Sequence, residues 1–233
     1  GKVEIQGNEN FDTANIRRSV PSLQPGLTPN SHAIARSLKV ANESPAKQTQ
    51  VSLKAGSTDG EVDAIVKVTD DKPRKYSLSL DNTGTSSTGI YRLGVGIQHS
   101  NLWNRDHQLT FQYITNPEHP SKVTVLGLGY HIPLYAQGDS IDLILGYSDV
   151  DSGTLNQLFI VSGAGTVALG RYNQNLSRIE DYEHKITYGI DYKAFSNNVT
   201  TLTGSPLVPD ITLHPVSVTY SGSWRKDVTD LGF

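Results

Sequence analysis

Three groups of residues in the chain of 233 have the side chains that acid–base, metal or phosphate chemistry needs. Seven histidines are scattered, with no HExxH and no close pair at metal-ligand spacing. Glu180, Asp181 and Glu183 are near enough to act as an acid–base pair, but they fall in YNQNLSRIEDYE, a stretch of turn composition where a charge run is ordinarily just solvated. GAGTVALG (residues 163–170) is glycine-rich but lacks the Lys-Ser/Thr of a phosphate loop, and its glycines suit a wall that another chain passes closely. These features point away from an enzyme, and no metal or other cofactor is expected.

Composition narrows the partners. Twenty basic against twenty-three acidic residues give a net charge of -3, so charge alone invites no nucleic acid. Cysteine is absent, which removes disulfides and thiolate metal sites and suits an oxidising compartment. Methionine is absent too, and Gly1 leads at once into VEIQG with no leader-like segment, so the chain is expected to be a mature protein or a piece of a longer one. No apolar run reaches the length of a transmembrane helix, which leaves a membrane β-barrel open.

The elements that would position any site change character near residue 73. Before it, VEIQG predicts a strand, and Asp12 or Thr13 caps a short helix bearing Ile16 and Val20 that ends before Pro21. Asn30 or Ser31 caps a second helix with Ile34, Leu38 and Ala41 on one face. Strands over residues 48–54 and 61–69 follow, joined by the turn AGSTDG, so the order is β-α-α-β-β.

After residue 73 the period becomes two. Leu126, Leu128, Tyr130 and Ile132 alternate with Val125, Gly127, Gly129 and His131; beyond a short turn Ile141, Leu143, Leu145 and Tyr147 alternate with small or polar residues. About eight such segments are expected, near residues 75–81, 90–99, 108–115, 122–132, 140–148, 158–171, 184–195 and 214–224, forming an up-and-down antiparallel meander. The oily faces meet either a second sheet, as in a soluble sandwich, or lipid, as in an outer-membrane barrel. Tyr and Trp near the segment ends, among them Tyr91, Trp103, Tyr147 and Trp224, favour the barrel with its aromatic girdles.

LSLDNTGTSSTG (residues 78–89), NLWNRD, and the IPLY corner followed by GD resemble, in this order, the outer-membrane transporters of two-partner secretion, the FhaC/ShlB-like haemolysin secretion/activation family within the BamA-like superfamily. PAKQTQVSLKAGSTDGEVDAIVKV looks like the last two strands of the POTRA domain next to the barrel. The resemblance implies an α+β POTRA domain at residues 1–73, followed at residues 74–233 by the amino-terminal half of a transmembrane β-barrel, about eight strands of sixteen. It implies a bacterial outer-membrane location with the POTRA domain in the periplasm, lipid around a monomeric barrel, and a secreted exoprotein of haemolysin or adhesin type captured through its amino-terminal secretion domain. DNTGTSSTG, TNPEHPS, DVDSGTLN and NNVTTLTGSPLVPD would then be outer loops, and SNLWNRD, LYAQGD, YNQNLSRIEDYE and RKDVTDLGF periplasmic turns.

The resemblance also implies a central last strand in the POTRA domain, leaving Gln48, Thr49, Gln50, Val51, Ser52, Leu53 and Lys54 as a sheet edge that could bind an extended partner by strand addition. The basic run Lys72, Arg74 and Lys75 lies where the domain meets the barrel and could touch anionic head groups or simply be solvated. The family's second POTRA domain, plug helix, eight further strands and Val-Arg-Gly-Phe/Tyr loop are not found in this sequence. Eight strands cannot stay an open arc in lipid, and a closed eight-stranded barrel has no channel, so the chain is expected to be a segment of a larger whole. An assembly or insertion factor of the same superfamily and a soluble β-sandwich binding module are the alternatives.

Overall fold

A computed structural model of the chain describes residues 1–86, 88–149, 154–155, 159–160, 164–196, 210–226 and 229–232. It opens with β1 (Val3–Gln6), α1 (Thr13–Ser19), α2 (Ser31–Ala41), β2 (Lys47–Ala55) and β3 (Val62–Asp70), the expected order. Asp12 starts α1 by accepting the Asn15 N–H at 2.7 Å, and Asn30 starts α2 by accepting that of Ala33 at 3.1 Å. β3 is central, parallel to β1 and antiparallel to β2. Its Ala64, Val66 and Val68 close over Phe11, Ile16, Val20 and Ile34, so Ile34 is core, with Leu38 packed against it. Helices of seven and eleven residues are too short to persist alone in water, and this packing is what holds them.

Apart from one 3-10 turn (Pro120–Lys122), the remaining described elements are strands: β4 (Arg74–Asp81), β5 (Arg92–Leu102), β6 (His107–Thr115), β7 (Thr124–Leu134), β8 (Asp139–Asp149), β9 (Thr154–Leu155), β10 (Phe159–Ile160), β11 (Ala164–Asn175), β12 (Tyr182–Ser196), β13 (Ile211–Leu213), β14 (Val216–Lys226) and β15 (Thr229–Gly232). One antiparallel sheet takes all but two of them in the order β4-β5-β6-β7-β8-β11-β12-β14-β15, with β13 beside β12; β9 and β10 pair as a separate two-stranded sheet. Among the described residues, the outer edges of β4 and β15 pair with nothing.

The sheet differs from expectation in several places: β5 runs on to Leu102, β12 starts at Tyr182, β9 falls in the expected loop DVDSGTLN, and β13 precedes the last expected strand. β11 runs on to Asn175 instead of stopping at Arg171, because Asn173 bonds Ser140 and Asp142 of β8, while the Asn175 N–H donates to Asp139 at 2.9 Å. RKDVTDLGF, expected to be only a turn, contains β15, whose Thr229 to Gly232 pair with Lys226 to Ser223 of β14. Most of the loops at residues 149–156 and 197–210, together with Gly163, Asp227 and Phe233, lie outside the described residues.

The alternation sorts the sheet into two faces. Leu126, Leu128, Tyr130 and Ile132 lie opposite Tyr147, Leu145, Leu143 and Ile141, and the same face continues through Phe111, Val95 and Leu78 one way and Ile190 and Val218 the other. Leu78 is 76 % exposed, Ile190 66 % and Val216 79 %. A continuous face of exposed large aliphatics calls for a solvent other than water. The opposite face is polar and bonded across strands: His131 to Asp142 at 2.7 Å, Asn173 to Asp142 at 2.6 Å, Thr187 to Asn173 at 2.9 Å, and Arg171 to Asp191.

Candidate functional sites: an open strand edge and a buried junction

The expected edge residues, Gln48 to Lys54, all lie on β2, and β2 is the outer strand of its sheet. Its backbone polarity follows from its neighbours. The Thr49 N–H donates to the Asn42 side-chain oxygen at 2.7 Å, and the Thr49 carbonyl accepts from the Asn42 amide at 3.0 Å. Both Thr49 groups therefore point away from β3. An antiparallel strand turns every second residue the same way, so Val51 and Leu53 point outward too, while Gln48, Gln50, Ser52 and Lys54 bond β3. Beyond the ends of the strand the parity holds: the Ala46 carbonyl accepts from Asp71, and the Gly56 N–H donates to Glu61. Asn42 thus takes the place of a partner strand at Thr49 and leaves Val51 and Leu53 as the open part of the edge. Nothing in the sequence marks Asn42 for this role, because an asparagine one residue past a helix looks like an ordinary cap.

The second site is where residues 1–73 meet the sheet. Side chains on β2 alternate, and the odd set facing the helices includes Lys47, whose side chain is fully buried. Its ammonium donates to Asp106 at 2.6 Å and to the Asn15 side-chain oxygen at 2.9 Å. Asp106 also accepts from the Tyr135 hydroxyl at 2.5 Å and from the Asn15 amide at 2.7 Å. Burial pulls the Lys47 pKa down and Asp106 pushes back; burial first and Asp106 second push the Tyr135 phenol up. The arrangement is a buried ion pair with its remaining hydrogen-bonding capacity filled by neutral groups, the condition under which such a pair is tolerated.

Two turns of the sheet supply the far half of this cluster. In the β5–β6 turn Trp103, Asn104 and Asp106 hold φ of 58°, 56° and 57°, a left-handed path that costs side-chain-bearing residues energy. Asn104 offsets that cost by donating to Asp12 at 2.8 Å and by accepting, at its carbonyl, from Asn15 and Arg18. In the β7–β8 turn Tyr135 packs on Val40 and Ala41, and its carbonyl accepts from Ser37 at 3.0 Å. Gly138, at φ 78°, lies so near Arg36 that an added Cβ would come within 2.8 Å of its Cβ. NLWNRD and IPLY with its GD, singled out by type, are therefore the segments that seat the first unit. Lys47 was legible in principle, since the same alternation that buries Thr49 buries it.

The other singled-out residues take no part in the strand edge or in the Lys47–Asp106 cluster. Asp181 faces Arg178 at 3.6 Å and Glu183 faces Lys39 at 3.3 Å, so these carboxylates pair with cations and not with one another. Lys72 and Arg74 are exposed, and Lys75 pairs with Asp71 at 3.7 Å. Among the described residues no group of His, Asp and Glu could hold a metal ion.

A model of the family described as haemolysin secretion/activation protein ShlB/FhaC/HecB matches residues 60–202. No curated protein matches the chain. Among solved structures, CdiB from Escherichia coli is similar at a TM-score of 0.69 and 17 % identity, covering 97 % of this chain and 42 % of that one. CdiB from Acinetobacter baumannii is similar at 0.64 and 15 %, covering 100 % and 44 %. The chain spans less than half the length of either structure, and at these identities the likeness is one of fold.

Proposed function

The chain belongs to the haemolysin secretion/activation family ShlB/FhaC/HecB, outer-membrane β-barrel proteins of two-partner secretion, and from that premise we propose that it carries the capture domain and part of the pore wall of an exoprotein transporter. In this reading residues 1–73 are a periplasmic POTRA domain and residues 74–233 the amino-terminal half of the barrel. The cargo is one secreted exoprotein of haemolysin or adhesin type, recognised through its amino-terminal secretion domain. The observation that carries the reading is the two-faced sheet: exposed aliphatics on one side suit lipid, and a hydrogen-bonded polar surface on the other suits a water-filled passage. The free edge of β4 then pairs within the completed barrel, since an unpaired edge in lipid costs several kcal/mol per group.

Capture takes place on β2, Gln48 to Lys54, by strand addition at the outward backbone of Val51 and Leu53. Proline separates this role from a structural one. Val51→Pro deletes an N–H that points to solvent, so the domain is expected to stay folded while exoprotein secretion falls at least about tenfold, roughly 1.4 kcal/mol of lost capture. Ser52→Pro deletes a bond to β3 and is expected to unfold the domain instead, by about 3 kcal/mol or more. Limited proteolysis reports the fold and immunoblotting of the medium reports secretion. Full secretion by a folded Val51→Pro protein would remove the edge from the mechanism.

A further inference from the structure

The aliphatic face of the sheet is not level. One cross-strand row on it runs Leu143 of β8, Gly170 of β11, Ile190 of β12 and Val216 of β14. Leu143, Ile190 and Val216 are exposed, and the row has a gap where the glycine lacks a side chain. The next row, Ile141, Tyr172, Tyr188 and Val218, closes one end of the gap. Between the two rows lies an open groove of about 380 Å³, walled by these aliphatic side chains and the two tyrosine rings. Polarity returns at the tyrosine end. The Tyr172 hydroxyl donates to Asp139 at 2.6 Å and that of Tyr188 to Gln174 at 3.2 Å, and Asp139 begins β8 beside the turn that seats the first unit. Toward the same margin, on β12 and β14, the Tyr220 hydroxyl is 2.7 Å from that of Tyr182 and 3.0 Å from the His184 Nδ1.

We propose that this groove is a binding site for one acyl chain of a phospholipid of the periplasmic leaflet, held in place and not exchanging with the surrounding shell of lipid. The site presupposes the transporter reading, in which this face is a membrane wall, and marks one place on that wall. Among groups all bathed in hydrocarbon there is no water to expel, so closeness of packing alone favours one place over another. On a level face an acyl chain meets side-chain tips on one side. In the groove it meets the Gly170 backbone as a floor and Leu143 and Ile190 as walls, and the added dispersion contacts are individually small but sum along the chain. The walls stand on β8 and β12, two strand spacings or about 10 Å apart, which suits a single hydrocarbon chain and not the flank of a second barrel. The hydroxyl band sets the direction of the lipid: its phosphate and esters lie beside Tyr172, Tyr188 and the Tyr182–His184–Tyr220 cluster, where aromatic rings with polar tips sit in a membrane, and its tail runs toward Val216. In the transporter reading the end that seats the first unit is periplasmic, which selects a phospholipid over the lipopolysaccharide of the outer leaflet.

The test is native mass spectrometry of the protein refolded into vesicles of phosphatidylethanolamine, phosphatidylglycerol and lipopolysaccharide, floated on a density gradient and released in mild detergent. A single phospholipid is expected to stay with each chain. Gly170→Leu fills the groove with a side chain; its Cβ would lie 3.3 Å from an Ile190 methyl, and Ile190 is exposed enough to turn aside. It is expected to float as well as the parent protein and to retain about tenfold less phospholipid. Val216→Trp, which overhangs the groove from an open position, is a second filling variant with the same expectation. Val95→Leu, an enlargement on β5 of the same face, is expected to retain lipid unchanged. The site is overturned by undiminished retention in both filling variants, by equal loss in Val95→Leu, or by lipopolysaccharide or a second chain retained in place of phospholipid. Floating protein that retains no lipid overturns the groove alone, whereas protein that does not float overturns the membrane wall along with it.

Discussion

Asp106→Ala is expected to destabilise the protein by about 3–5 kcal/mol, the largest loss anticipated for a single side chain outside the hydrophobic core. The substitution leaves the Lys47 ammonium with the Asn15 oxygen and the face of the Phe11 ring but no counter-charge in a site with no exposure, and it also orphans the Tyr135 hydroxyl. Adding Lys47→Met to Asp106→Ala removes the stranded charge and is expected to recover most of the loss, although the Tyr135 hydroxyl still lacks its acceptor; the Asn15 amide keeps those of Asn101 and Asn104. Urea unfolding in detergent, followed by the fluorescence of Trp103 three residues from Asp106, measures both. Loss of the same size in the single and double variants would mean that Asp106 acts through the turn's backbone and not through Lys47.

Leu145→Arg is the second large effect. Leu145 is at the middle of β8 on the aliphatic face and is 51 % exposed. In water an exposed Leu→Arg change would be close to neutral, within about 0.5 kcal/mol. In a bilayer it sets a guanidinium among acyl chains at a cost of about 2–4 kcal/mol. The control is Ser217→Arg on the polar face of β14, which is expected to be tolerated because that side chain stays in water. Folding yield into lipid vesicles, read from the shift in gel mobility between folded and boiled protein, is expected to drop for Leu145→Arg and to hold for Ser217→Arg. Equal yields would place water on both faces.

Much of this was legible because period alone assigns a side. The alternation through Leu126 to Ile132 and Ile141 to Tyr147 put each side chain on the face where it is found, and strands need only that to be recognised. The caps of α1 and α2 were legible to within one residue, Asp12 or Thr13 and Asn30 or Ser31, and in each pair it is the first that accepts from the helix's first turn. What stayed hidden depends on distance in space. Asp106 looked like a turn residue until Lys47, fifty-nine positions earlier, was found beneath it. The extension of β11 through Asn173 and Asn175 was hidden for the same reason, because amides that read as turn composition are bonded to β8. Asn42 is the plainest case: its side chain does the work of a backbone, and composition does not reveal which asparagines do so.

The claim on which all else depends is that the large sheet is a wall with lipid on one side and water on the other. β14 tests it best, because Val216 to Ser221 alternate strictly and residues 216 to 220 are exposed on both faces. Nitroxide labels would be placed at single cysteines from residue 216 to 221 in protein reconstituted in vesicles, and their relaxation by oxygen, which concentrates in lipid, compared with that by a water-soluble nickel chelate. The account predicts oxygen dominance at Val216, Val218 and Tyr220 and nickel dominance at Ser217, Thr219 and Ser221. Nickel access at all six positions, or the opposite phase, would contradict it.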